Sequence, residues 1–262
     1  MEKVKVFLSD PQVLFREGIH FILSGEDDFE VTGETTNNEE AFAFIEANPP
    51  NIAILSIKNG KLSGPEITRR IKRHLPSVSV ILIMDTKDEE QLFAAMKSGA
   101  SACLTKDTDP EYLLDIIRVV TQGSQPILEE LLKPGLASRA LTEFKDLATL
   151  SDQLDNLLPI LTPKETEILG SIAAGNGVEE VAEELDINEE TIRRNLRSIL
   201  NKLIANDQAR ALIEAAQRSL PSIISGVVKT GRPAAEYVTK EEFNEFKETL
   251  MARLKSFIGE LT

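Results

Sequence analysis

Over the first 120 residues, short runs of aliphatic and β-branched residues alternate with amphipathic stretches. Residues 4–8, 29–33, 51–55, 78–84 and 101–105 read as strands, and 13–23, 40–47, 65–74, 89–98 and 110–120 carry apolar positions at helical spacing. Five strand–helix units of this length predict a parallel, doubly wound α/β sheet with helices on both faces and right-handed crossovers. Ligands of such sheets sit beyond the carboxyl ends of the strands.

The pattern changes after Gly123. Residues 123–160 are Leu-rich, hold no strand signal and are interrupted at Pro134-Gly135, which predicts a helical connector. Its stripe of Leu141, Phe144, Leu147, Leu150, Leu154 and Leu157 is too apolar for a loose tether and needs a domain or a second subunit to pack on.

Three short helices follow. Thr162 as N-cap, Pro163 at the first helical position and Glu165 closing a capping box open the first, and Ile168, Leu169 and Ile172 form its buried face. Gly175 suits a left-handed ending. Val181, Ala182 and Leu185 line the second helix, and Asn188 caps the third. On that third helix Ile192, Leu196, Ile199 and Leu203 face inward. Thr191, Arg193, Arg194, Asn195, Arg197 and Lys202 face outward, donors suited to guanine edges and phosphates in a major groove.

A fourth helix is expected from residue 207 to 220, with Leu212, Ile213, Ala216 and Leu220 as an association face. Residues 221–262 read as a Pro/Gly linker followed by a last helix. Its stripe of Phe243, Phe246, Leu250, Leu254, Phe257 and Leu261 requires a partner, with self-association as the first expectation and packing on the first domain or the connector as the second.

Charge narrows the DNA reading. The net charge is −14, and residues 161–220 alone hold 7 basic against 11 acidic side chains. Phosphate contacts come from lysine and arginine, so DNA binding has to rest on the local basic face of the third helix and to be helped by a homodimer. One cysteine, Cys103, excludes an internal disulfide. Two histidines, His20 and His74, with no cluster around them, point to no metal and no cofactor. No apolar run reaches the length of a membrane span and the N-terminus does not read as a signal peptide, so a cytoplasmic protein is expected.

The strand ends LSDPQVLFREGI, PPNIAILSIKNGKLSGPEI and SGASACLTKD resemble a bacterial response-regulator receiver over residues 1–122. The resemblance implies a flavodoxin-like fold in which two adjacent acids hold Mg²⁺, an aspartate accepts phosphate, and a hydroxyl and a lysine neutralise the product. Here the acid pair is Asp10-Pro11, the nucleophile position is Ser56, the hydroxyl position is Met84, and Lys106 is retained. A receiver so altered is expected not to accept aspartyl phosphate. Lys106 then either pairs structurally with Asp10, binds a small anion that replaces phosphate as the signal, or leaves control to a partner protein.

Residues 161–220 resemble the LuxR-type helix-turn-helix along their whole length, from LTPKE to the third helix. Together the two segments resemble a NarL/FixJ-type response regulator with a degenerate receiver. The resemblance implies base reading by Arg193, Arg194 and Arg197, with Thr191, Asn195 and Lys202 on the DNA backbone. The expected function is transcriptional regulation on double-stranded DNA rather than catalysis. The alternative is an acidic adaptor that binds another regulator or RNA polymerase and touches DNA little.

Overall fold

The computed structural model describes residues 3–153 and 158–229, with only the backbone described for 147–153 and 213–229. Five parallel strands, β1 (Val4–Ser9), β2 (Phe29–Thr35), β3 (Ile52–Ser56), β4 (Ser79–Met84) and β5 (Ala102–Thr105), form one sheet in the order β2-β1-β3-β4-β5. The fully buried β3 explains why its sequence reads as an unbroken apolar run rather than an alternation. The five interleaved helices are α1 (Val13–Ser24), α2 (Asn38–Ala47), α3 (Gly64–His74), α4 (Glu89–Ser98) and α5 (Pro110–Thr121). Strand order reverses between β1 and β3, so the ends of these strands flank a crevice.

Apolar residues of α1 and α5, such as Ile19, Leu23, Leu113 and Ile117, cover one face of the sheet. Helices α2, α3 and α4 cover the other, and that core continues without a break into buried residues between 127 and 203. A 3-10 turn (Pro126–Leu132) leads into α6 (Pro134–Gln153), so Pro134 and Gly135 begin the connector helix. Among the described side chains of α6, Leu136, Ala137, Ala140 and Phe144 are buried. Of the expected stripe, Leu141 is half-buried, the side chains of Leu147 and Leu150 are not described, and Leu154 and Leu157 lie outside the described residues.

The final unit comprises α7 (Pro163–Ala173), α8 (Val178–Glu184) and α9 (Glu189–Lys229). The capping box forms as expected: Glu165 N–H donates to Thr162 Oγ1 at 3.2 Å and Thr162 N–H to Glu165 Oε2 at 2.7 Å. Gly175 takes φ +104° just beyond α7.

The expected separate fourth helix is corrected by the structure, because α9 runs through residue 207 without a break. Asn206 and Asp207 look like cap residues, yet both side chains turn away from the backbone of α9. Asn206 Nδ2 donates to Pro159 O at 2.9 Å, and Asp207 receives the Arg69 guanidinium of α3. With no glycine or proline between residues 189 and 220 and no cap to divert the chain, helix propagation continues.

Middle turns of α9 lie against α4. Gly99 ends α4 in the left-handed region, φ +91°, and Ile204 of α9 sits above it, so a side chain at position 99 would meet both Lys72 and Ile204. Around this contact Glu143 of α6 accepts from Lys97 of α4 at 2.9 Å and lies 3.7 Å from Arg210 of α9. Lys72 sits at the same seam with its ammonium on Val78 O at 2.8 Å, and burial lowers its pKa to about 8.

Candidate nucleic-acid interface and the strand-end site

The N-terminus of α9 is built by Asn188, whose Oδ1 accepts both the Thr191 N–H and the Thr191 hydroxyl at 2.8 Å. Glu189 and Glu190 occupy the first turn, where carboxylates meet the positive end of the helix. Ile192, Leu196, Ile199, Leu200 and Leu203 are all buried. That apolar wedge pins the helix and turns one face outward.

The exposed face carries Arg194, Arg197 and Asn201, spaced three, four and seven residues apart. With Ser198, Lys202 and Pro159 they line a groove of about 400 Å³. Asn201 was absent from the sequence-based set. Its seven-residue spacing from Arg194, two helical turns, is the signal that places it there.

Several of the expected residues also have partners within the chain. Arg193 pairs with Glu129 of the 3-10 turn, so one outward-facing arginine is held by the segment that leaves the first domain. Arg194 lies 3.3 Å from Glu190. Asn195 Nδ2 donates to Thr191 O at 2.7 Å. Lys202 Nζ donates to Glu165 Oε2 at 2.6 Å, and Ser198 Oγ donates to Glu165 Oε1 at 2.7 Å. Burial opposes the charge on Glu165, which is 2% exposed. The Lys202 ammonium, the Thr162 N–H and the Ser198 hydroxyl outweigh burial and hold its pKa below the ordinary value. Lys202 therefore ties α9 to the start of α7. Of the expected association face, Leu212 is half-buried, Ile213, Ala216 and Leu220 have no described side chains, and Phe243 to Leu261 lie outside the described residues.

In the first domain, Asp10, Ser56, Met84 and Lys106 lie at the carboxyl edge of the sheet, as the strand endings predict. Lys106 Nζ lies 3.1 Å from Asp10 Oδ2 and 2.9 Å from Asp85 Oδ1. Burial works against its charge, but hydrogen bonds and attraction from Asp85 and Asp10 raise its pKa. Asp85 immediately follows β4, and position alone could have flagged it.

Ser56 is buried and its hydroxyl donates to Lys58 O at 3.3 Å. Met84 is buried in the core, and Pro11 is exposed. A neutral network not foreseen from the sequence fills the crevice behind them. Ser9 Oγ donates to Asn38 Oδ1 at 3.0 Å, and Asn59 Nδ2 donates to Ser9 Oγ at 3.2 Å. Asn38 Nδ2 donates to Ser56 O at 3.2 Å. Among the described residues no group of three His, Cys, Asp or Glu side chains could hold a metal ion, and no helix is long and apolar enough to cross a membrane.

Cys103 is half-buried against the core, and desolvation, aided by Glu130, pushes its thiol up to about 12, so it packs as an apolar filler. His20 pairs with Glu34, which also receives Arg16 Nε at 3.0 Å. The His74 ring lies edge-on to Phe42.

Residues 6–118 match the response regulator receiver domain, and residues 159–215 match the bacterial regulatory proteins of the luxR family. The chain thus carries a match to a receiver domain followed by a match to the luxR family. It is similar to the transcriptional regulatory protein DegU of Brevibacillus brevis, 29% identical over 81% of this chain and 93% of that one. It is also similar to the response regulator protein VraR of Staphylococcus aureus, 28% identical over 83% of this chain and 98% of that one. Among solved structures, the RcsB response regulator of Salmonella typhimurium covers 78% of this chain at 23% identity, with 93% of its own length matched and a TM-score of 0.45. The receiver match thus ends within α5, and the luxR-family match takes in α7, α8 and about the first two thirds of α9. The Brevibacillus relative is named a transcriptional regulatory protein, and the Staphylococcus relative a response regulator protein.

Proposed function

We propose that this protein is a sequence-specific DNA-binding transcriptional regulator that acts as a dimer and does not use aspartyl phosphate. The observation that carries the reading is the outward face of α9. Arg194, Arg197 and Asn201 line an open groove on a helix whose opposite side is locked into the core. Guanidinium groups on one helix face suit base edges and phosphates of a major groove. The names of the relatives, a transcriptional regulatory protein and a response regulator, support the same reading.

Independence from aspartyl phosphate is supported by the strand-end chemistry. A buried serine whose hydroxyl is turned to the Lys58 carbonyl is a poor phosphoryl acceptor, and Met84 supplies no hydroxyl to bind the product. Control then falls to a ligand or a partner protein. A dimer would supply the second reading helix that an acidic chain needs for useful affinity.

One observation favours the adaptor reading. Arg193 and Lys202, two of the four basic residues expected to contact DNA, are paired with Glu129 and Glu165. Replacing Arg194 and Arg197 together by alanine separates the two. The regulator loses DNA occupancy across the genome, while the adaptor keeps its occupancy through its partner.

A further inference from the structure

On the sheet face opposite α9, a half-open groove of about 230 Å³ lies between α1 and the β5–α5 junction. Phe15, Ile19, Ile22, Leu104 and Leu113 give it apolar walls, and Lys106, with the hydroxyls of Thr105 and Thr108, gives it a polar end. Gly18 lines the same wall. A Cβ there would meet nothing within 4 Å, so the groove owes part of its room to a missing side chain. Its lip is apolar and open to solvent, with Leu14 89% exposed.

The two carboxylates on Lys106 differ in standing. Asp10 is buried and fixed, its Oδ1 accepting the Gln12 N–H at 2.7 Å, whereas the Asp85 side chain is 60% exposed and reaches Lys106 from solvent. Asp85 thus shows where a second carboxylate fits on the ammonium, 2.9 Å from Nζ. Exchanging it for a ligand carboxylate keeps Lys106 between two anions and returns the Asp85 charge to water. Apolar walls beside one exchangeable ion pair suit a molecule with a hydrocarbon body and a single acidic head.

We propose that this groove binds a small amphipathic carboxylic acid, its carboxylate taking the place of Asp85 on Lys106 and its body lying along Phe15, Ile19 and Leu113. The proposal rests on the reading that the first domain takes its signal in a form other than aspartyl phosphate.

The test titrates the full chain with hexanoate, octanoate and octan-1-ol by calorimetry and thermal melting. Each CH₂ held in the groove tightens binding about fourfold, so octanoate is expected to bind about sixteenfold tighter than hexanoate and to raise Tm. Octan-1-ol, lacking the charge, is expected to bind at least about tenfold more weakly than octanoate. Gly18→Leu fills the groove and is expected to abolish octanoate binding with an unchanged circular dichroism spectrum. Asp85→Asn removes the internal competitor and is expected to tighten binding. No binding of either acid, equal binding of the alcohol, or octanoate binding that survives Gly18→Leu would overturn the proposal. Phosphoryl uptake from acetyl phosphate, read by intact mass on the same preparation, tests the underlying reading separately.

Discussion

Arg193, on the outward side of α9, pairs with Glu129 on the 3-10 turn that leaves the receiver, so a residue expected to read DNA is occupied by the chain itself. Both side chains are about half exposed, which puts the pair among surface ion pairs worth roughly 0.2–1 kcal/mol. Glu129→Gln is therefore expected to tighten DNA binding by about two- to fivefold, measured by fluorescence anisotropy on a duplex selected from a random library. The gain should shrink as salt is raised.

Glu165 is the buried carboxylate that joins α7 to α9. Removing its charge leaves the Lys202 ammonium without its partner and weakens the cap, and breaking such a pair costs about 3 kcal/mol. Glu165→Gln is expected to lower the melting temperature of the full chain and to perturb α9. Because the folded pKa of Glu165 is lowered, its contribution is fully present above the ordinary carboxylate value and is lost as pH falls through the folded value. The wild type should therefore lose stability more steeply than Glu165→Gln on acidification below about pH 4.5.

Lys72 gives a dependence of the same sign on the alkaline side. Its ammonium is desolvated at the seam between the receiver and α9, with a folded pKa of about 8 against 10.5 when exposed. The unfolded chain therefore binds the proton more tightly, and stability rises as pH increases from 8 to 10.5. The span corresponds to roughly 2–4 kcal/mol. Lys72→Met should flatten that rise in denaturant titrations, and an identical slope in both proteins would refute the assignment.

Ser56→Asp restores a carboxylate at the end of β3, yet Pro11 and Met84 remain. The prediction is no phosphoryl adduct in the intact mass after incubation with acetyl phosphate and Mg²⁺. An adduct would mean that Asp10, Asp85 and Lys106 suffice to assemble the chemistry.

Much of the fold was legible because strand runs and helix caps are local signals. The run 51–55 falls within one residue of β3, and Thr162, Pro163 and Glu165 form the cap their order implies. The continuity of α9 was not legible, since Asn206 and Asp207 resemble cap residues until Pro159 and Arg69, distant in sequence, claim their side chains. Likewise, the outward face of α9 could be drawn from periodicity, which found Arg194 and Arg197. Periodicity carries no information about Glu129 or Glu165, the partners that hold Arg193 and Lys202. The strand-end positions were read in register, whereas the Ser9–Asn38–Asn59 network joins residues up to 50 apart and has no sequence motif.

The most direct measurement is a binding isotherm of the full chain on a selected duplex, with and without acetyl phosphate and Mg²⁺, beside the Arg194→Ala/Arg197→Ala variant. Regulation without aspartyl phosphate requires superimposable wild-type isotherms and a loss of at least about tenfold in the variant. A wild-type isotherm that shifts with acetyl phosphate, or a variant that binds as well as the wild type, would contradict it.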